Sequence, residues 1–225
     1  MRAASPRQFA NRREAGRELG AALARLQLRS PVVVLGLARG GLPVAAEVAQ
    51  ALGARLDVLA VRKIGMPGQA ELAVGAIAAG VTVRHPPPGS PIELSARDFA
   101  ALEQRERTEL ERRERLYRAG LPPLELTDST AVLVDDGLAT GATMLAAIRA
   151  ARRAGAAVVI VAVPVASGEA AALVRPECDQ LVVLQTPPYF YAVGQWYRDF
   201  TQVDDSEVCR LLAPRPTAQP HGRTG

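Results

Sequence analysis

The sequence predicts an α/β fold in which helices flank both faces of a doubly wound, mostly parallel sheet of five strands. Three observations carry that expectation. Short apolar runs rich in valine recur at 32–35, 56–61, 131–134, 158–165 and 181–184, the length and composition of strands buried on both faces. Segments with helical spacing of apolar residues lie between them, and such alternation builds parallel sheets. The first and third runs also pass directly into turns of small residues and then into a helix, which is how an α/β protein presents backbone N–H groups at a sheet edge.

Taken in order, 7–28 reads as an amphipathic helix, with Phe9, Ala15, Leu19, Ala22, Leu23 and Leu26 spaced among arginines and glutamates. The strand at 32–35 opens into the turn Gly36-Leu37-Ala38-Arg39-Gly40-Gly41. A helix from Pro43 to Leu52 follows, its proline suited to a first turn. This turn lacks the G-x-G-x-x-G spacing of a dinucleotide site, and no G-K-[ST] of a P-loop occurs in the chain. The strand at 56–61 delivers Arg62 and Lys63 at its end, and 64–69 has the glycine and proline of a turn or mobile segment. Glu71–Ala79 and Val81–Arg84 read as a hairpin about Gly80, and the proline-rich 85–91 as a surface connection in which His85 is a loop residue. A long charged helix is expected over 95–119, with Ser95 and Asp98 at its cap. The alternating signs of RERTELERRER make that helix a solvated, salt-bridged face rather than a nucleic-acid patch. Helices follow over 144–154, 169–174 and 204–211, and 215–225 is expected to fray.

Bulk properties narrow the function classes. Hydrophobic residues make up 48% of the 225, enough for one large core, and no apolar run approaches the roughly 20 residues of a membrane span. MRAASPRQFANRREAG has no apolar leader core, and two cysteines, Cys178 and Cys209, build neither a disulfide framework nor a metal site. A cytoplasmic protein is expected. The net charge of +4 is modest and aromatics are only 4%, so nucleic acid is disfavoured as a partner. Of 27 cationic residues Lys63 is the sole lysine, an arginine bias of composition rather than chemistry.

The chain is organised around Ala131–Thr143, AVLVDDGLATGAT. A buried strand ends in two carboxylates, Asp135 and Asp136, and a loop of small residues with two hydroxyls leads into a helix N-terminus. Amides and dipole at such a terminus bind phosphate. The carboxylates suit the neighbouring parts of the same ligand, sugar hydroxyls or a hydrated divalent cation. Ligands of open parallel sheets bind beyond the carboxyl ends of the strands, so Arg39, Arg62, Lys63, Asp135 and Asp136 are expected to meet at one crevice.

This order of parts resembles the 5-phosphoribosyl-1-pyrophosphate (PRPP) motif of type I phosphoribosyltransferases, and the likeness covers about residues 7–200. The resemblance implies one domain of that fold, with a core over 7–185, a small C-terminal hood over 186–213 and a disordered tail over 214–225. It implies Mg²⁺-dependent transfer of the phosphoribosyl group of PRPP to a nitrogenous acceptor, and a homodimer. Asp135 and Asp136 would face the ribose hydroxyls with the metal nearby. Ala139, Thr140, Gly141, Ala142 and Thr143 would cradle the 5′-phosphate, with a side chain at 141 intruding on the ligand. Ala38, Arg39 and Gly40 would hold the pyrophosphate, and Arg62 and Lys63 would serve in catalysis. In the aromatic stretch 186–200, Tyr189, Tyr191 and Trp196 would stack on an acceptor, or else pack the hood or a dimer contact. Two positions depart from the family. Gly137 stands where an aliphatic residue is usual, and Ala139 where purine-salvage members carry a carboxylate. Alanine takes no proton, which argues against a 6-oxopurine and leaves pyrimidine-type, amide or unassigned acceptors open. The family also includes PRPP- or nucleotide-sensing regulators, which stand as the alternative.

Overall fold

The computed structural model describes residues 7–66, 69–85 and 94–213, without the side chains of 69–72. Its elements run α1 (Arg12–Leu23), β1 (Val32–Ala38), α2 (Gly41–Leu52), β2 (Arg55–Met66), β3 (Gln69–Ala78), β4 (Val81–Arg84) and α3 (Ala96–Tyr117), then β5 (Thr130–Val134), α4 (Ala142–Arg153), β6 (Val158–Val165), α5 (Gly168–Val174), β7 (Gln180–Gln185) and α6 (Asp205–Leu212). The strands form one sheet in the order β4-β3-β2-β1-β5-β6-β7. Five of them, β2, β1, β5, β6 and β7, are parallel, while β3 and β4 add antiparallel to the β2 edge. The doubly wound α/β class is the predicted one, but the sheet has seven strands rather than five.

The two extra strands join because β2 does not stop at Val61. Its first half pairs with β1 up to Ala60, and its second half, from Val61 to Met66, pairs with β3. The residues expected to form a turn, Ile64 to Met66, are therefore strand, with register shifts at Gly65 absorbing the irregularity. Pro67, Gly68, the prolines of 86–91 and the tail from 214 lie outside the described residues.

Side-chain alternation along the strands divides the core into two layers. Val33, Leu35, Ala131, Leu133, Val159 and Val161 face α4 and α5, packing on Met144, Leu145, Ile148 and Val174. Val34, Val132, Val134, Ile160 and Ala162 face α1 and α2, packing on Leu19, Leu23, Val44 and Val48. Both faces of the central strands β1, β5 and β6 are thus buried, as their valine-rich composition requires, while the edge strand β7 is only partly covered.

Helix α1 is shorter than the periodicity predicts. Asn11 caps it, its side chain accepting the Glu14 N–H, so the chain before it is extended. That extended segment docks on the C-terminal region: the Phe9 N–H donates to Trp196 O and the Arg198 N–H to Phe9 O, both at 2.8 Å. Phe9 is fully buried against Tyr197 rather than on a helix face. Ser95 caps α3 as expected, accepting the Asp98 N–H. The charged face of that helix carries ion pairs of Glu109 with Arg112 and Arg113 and of Glu103 with Arg107.

Candidate active site

Strands β1 and β5 are neighbours, and their carboxyl ends open on one crevice of about 520 Å³. From β5 come Asp135 and Asp136. The Asp136 N–H donates to Asp135 Oδ1 at 2.9 Å, and both residues line the crevice. The loop that follows is pinned to β6: Leu138 N–H donates to Val165 O at 2.9 Å, and Ser167 Oγ to Ala139 O at 2.8 Å. Ala139 and Thr140 are exposed, and Gly141 turns the backbone left-handed at φ +81° to cap α4. The amides of the first turn of α4, orphaned as at any helix start, head that loop. Ala139, Thr140, Gly141 and Thr143 line the crevice; the Ala142 side chain lies in the core, so this residue offers only its backbone.

From β1 comes the facing turn. Ala38, Arg39 and Gly40 line the crevice, with a cis peptide between Ala38 and Arg39. Arg39 Nη1 lies 3.3 Å from Asp205 Oδ1 at the start of α6. That carboxylate also accepts from Tyr117 Oη at 2.6 Å and from Arg112 Nη2 at 3.1 Å. The far end of the long charged helix thereby braces the turn. Gly40 approaches so closely that a Cβ there would stand 2.2 Å from Asp136 Oδ2.

Several sequence-derived positions fall elsewhere. Lys63 lines the crevice, but its neighbour Arg62 does not; strand alternation turns Arg62 toward α3, where Nη2 lies 2.6 Å from Glu106 Oε2. The acceptor-side aromatics are also corrected. Tyr189 and Tyr191 are 74% and 87% exposed and do not line the crevice. Trp196 packs with Phe9, Val165 and Tyr197 under the C-terminal segment, its buried Nε1 without a hydrogen-bond partner among the described residues. Val193 and Phe200 take the crevice positions instead. The expectation that a side chain at 141 would meet the phosphate is corrected as well: a Cβ there points at Leu173 and Val174, both 3.2 Å away.

Sequence reasoning missed Arg12. Its Nε donates to Asp136 Oδ2 at 2.9 Å, its Nη1 to Thr201 O at 2.8 Å, and its guanidinium lies 3.8 Å from the centre of the Phe200 ring. Only 10% of the Arg12 side chain and 13% of the Asp136 side chain are exposed. Removing the arginine would strand a buried carboxylate, at a cost of about 3–5 kcal/mol. Tyr197 Oη donates to Asp136 O at 2.6 Å, completing the brace. One arginine among so many carries no local signal. Val193 explains Gly137: a Cβ at 137 would come within 2.7 Å of Val193 Cγ1, so the valine fills the space an aliphatic side chain would need.

Electrostatics follow from this packing. Burial, and after it the charge of Asp136, pushes the Asp135 carboxyl well above the usual carboxylate range. Burial pushes Asp136 up as well, against the opposing pull of Arg12. Among the described residues no three acidic, histidine or cysteine side chains form a closed metal site. Two carboxylates at one strand end do fit a magnesium ion that keeps waters and takes its remaining oxygens from a ligand.

A helix N-terminus headed by a small-residue loop, a buried acidic pair and a cationic turn thus share one crevice at the carboxyl ends of the strands of an α/β sheet. Comparison with known proteins makes that specific: residues 9–186 match the phosphoribosyl transferase domain, and the chain belongs to that family. Two Mycobacterium tuberculosis proteins, one from strain CDC 1551 and one from H37Rv, named only provisionally as phosphoribosyl transferases, are each 48% identical over 205 residues. The match covers 91% of this chain and 46% of theirs, so the chain spans about half the length of these curated relatives. The crystal structure of TT1426 from Thermus thermophilus is similar at 43% identity and a TM-score of 0.76, covering 91% of this chain and 97% of that one. No helix among the described residues is long and apolar enough to cross a membrane.

Proposed function

We propose that this chain transfers the 5-phosphoribosyl group of PRPP to a nitrogenous acceptor other than a 6-oxopurine, releasing pyrophosphate. One observation carries the reading: the Ala139–Thr143 cradle, the Asp135–Asp136 pair and the Arg39–Gly40 turn share a single crevice. The amides of the cradle hold the 5′-phosphate, and the carboxylates accept hydrogen bonds from the ribose hydroxyls. The acceptor nitrogen forms its bond to C1 as the C1–O bond breaks, the electron pair of that bond leaves with pyrophosphate, and the acceptor's N–H proton passes to the departing pyrophosphate or to water. Arg39 and Lys63 face the leaving group as charge builds on it, where fixed cations in a partly buried site stabilise most. The acidic pair lies beside the positive charge that develops on the ribose ring. Asp135 and Asp136 are the residues that would hold Mg²⁺, which when bound would supply further charge neutralisation to the leaving group. Val193 and Phe200 wall the acceptor end, where they exclude water. The two cysteines are free thiols, in keeping with a reducing cytoplasm.

The test is pyrophosphate release from PRPP and Mg²⁺ with a panel of pyrimidines, amides and purines. Turnover with one non-oxopurine acceptor is expected, and turnover only with hypoxanthine or guanine would contradict the proposal. A second reading, a non-catalytic PRPP sensor, is favoured by Ala139, which offers no proton acceptor at the loop. Tight PRPP binding without release on any acceptor would select it.

A further inference from the structure

The matched family domain ends at residue 186, and α6 lies beyond it. Asp204 caps this helix, its side chain accepting the Glu207 N–H at 2.7 Å. Val208 is fully buried and packs, with Val203, on Leu42 of α2, Val58 of β2 and Tyr117 of α3. That docking sets Asp205, in the first turn of α6, behind the β1–α2 turn. Its carboxylate takes donors from two other parts of the chain. Oδ1 accepts from Tyr117 Oη at 2.6 Å and from Arg39 Nη1 at 3.3 Å, and Oδ2 accepts from Arg112 Nη2 at 3.1 Å. The Tyr117 hydrogen bond above all, against the opposing effect of burial, holds the Asp205 carboxyl below its usual range, so it is ionised. Burial, and after it the same bond, push the Tyr117 hydroxyl up, so it stays a donor.

A carboxylate in a first helical turn is favourable towards the helix dipole by itself. The dipole does not account for the reach to Arg39 or for the Tyr117 hydroxyl behind it. Arg39 lines the crevice and Asp205 does not. An arginine free in solvent gives up rotamer freedom when it meets a ligand, and a partner that fixes it beforehand spares that loss. Asp205 engages one nitrogen of the guanidinium, which leaves the rest of the fork for an anion. We propose that Asp205 is a positioning residue, holding Arg39 from behind so that its remaining N–H groups meet the departing pyrophosphate. Asp205 touches no ligand and acts through Arg39. Its charge is shared between Arg39 and Arg112, so the anion meets the guanidinium and not the carboxylate. The role rests on the assignment of Arg39 to pyrophosphate under the proposed function, and it makes α6 a working part of the site.

Calorimetry on the full chain tests it, with inorganic pyrophosphate and Mg²⁺ as the probe and ribose 5-phosphate as the control. Asp205→Ala should weaken pyrophosphate by about three- to tenfold, the scale of one hydrogen bond to a charged group, and Asp205→Glu should restore part of it. Ribose 5-phosphate should bind both variants like the parent, because its cradle lies on the β5–α4 turn. In an Arg39→Ala background Asp205→Ala should add nothing, since a residue that acts through another has no effect once that one is gone. Unchanged or tighter pyrophosphate binding in Asp205→Ala would overturn the role. So would an equal loss in the Arg39→Ala background, or a matching loss of ribose 5-phosphate, either of which makes Asp205 merely structural. Where Asp205→Ala melts α6 by circular dichroism, Tyr117→Phe, which frees the carboxylate and leaves the helix unaltered, decides by the same comparisons. If the parent fails to bind pyrophosphate, or Arg39→Ala binds it as the parent does, the assignment of Arg39 fails and this role falls with it.

Discussion

The two turns that face each other across the crevice both rely on glycine, for different physical reasons. In the β1–α2 turn, Gly40 has an ordinary backbone, φ −59°, which any residue could adopt. Its glycine is required by proximity: a Cβ would meet Asp136 Oδ2 at 2.2 Å, and one at Gly41 would meet Val134 O at 2.6 Å. In the β5–α4 turn, Gly141 is required by handedness, its φ of +81° lying where side chains are strained. One turn is bare so that a cationic loop can press against two carboxylates. The other reverses the chain so that helix amides face the cavity. The shared lesson is that a glycine-rich turn cannot be assigned a role from composition alone.

Breaking each turn should therefore fail differently. Gly40→Ala is expected to have the largest effect, because Asp136 is fixed by Arg12 and cannot retreat. Overpacking of this kind costs about 1–3 kcal/mol, or about 2–4 °C of Tm for each, and PRPP binding should be lost with it. Thermal melts and calorimetry on the same variant check both. Gly141→Ala should cost about 1–2 kcal/mol from backbone strain, with PRPP weakened because the amides move and not because a methyl enters the ligand site. Retained stability with lost binding would restore the steric explanation.

Asp135→Asn sharpens the comparison through pH. Burial raises this acid in the native state above its unfolded value, so the folded protein holds the proton longer. Stability is then present at low pH and falls as pH rises through the native titration. The amide variant is spared that loss, so its Tm should exceed the parent's at pH 8, and the difference should fade towards pH 4. An equal or lower Tm at pH 8 would show that the carboxylate is better compensated than its surroundings indicate. The smallest effect belongs to Tyr191→Ala. This ring is 87% exposed, so stability should change by less than about 0.5 kcal/mol and PRPP affinity not at all. A marked loss of affinity would return the exposed tyrosines to the acceptor site.

Much of this fold was legible because buried parallel strands need continuous valine-rich runs, which stand out from any other context. The acidic pair and the small-residue loop were legible for the same reason, as local chemistry at a strand end. What was not legible depended on distance in sequence. The extension of β2 to Met66 was masked by Gly65 and Pro67, which read as breakers until β3 supplies a partner. Helical periodicity ran on through Phe9, since spacing cannot register a partner at Tyr197. Arg12 reaches Asp136 across 124 positions, and the Trp196 ring is turned into the core by contacts that no local pattern encodes.

The central claim is that the acidic pair and the cradle act on one ligand. Calorimetric titration of PRPP in the presence and absence of Mg²⁺, on the parent and on Asp135→Asn/Asp136→Asn, tests it most directly. Magnesium-dependent binding in the parent and none in the double variant is the predicted result. Unchanged affinity in the double variant, with its fold intact by circular dichroism, would contradict it.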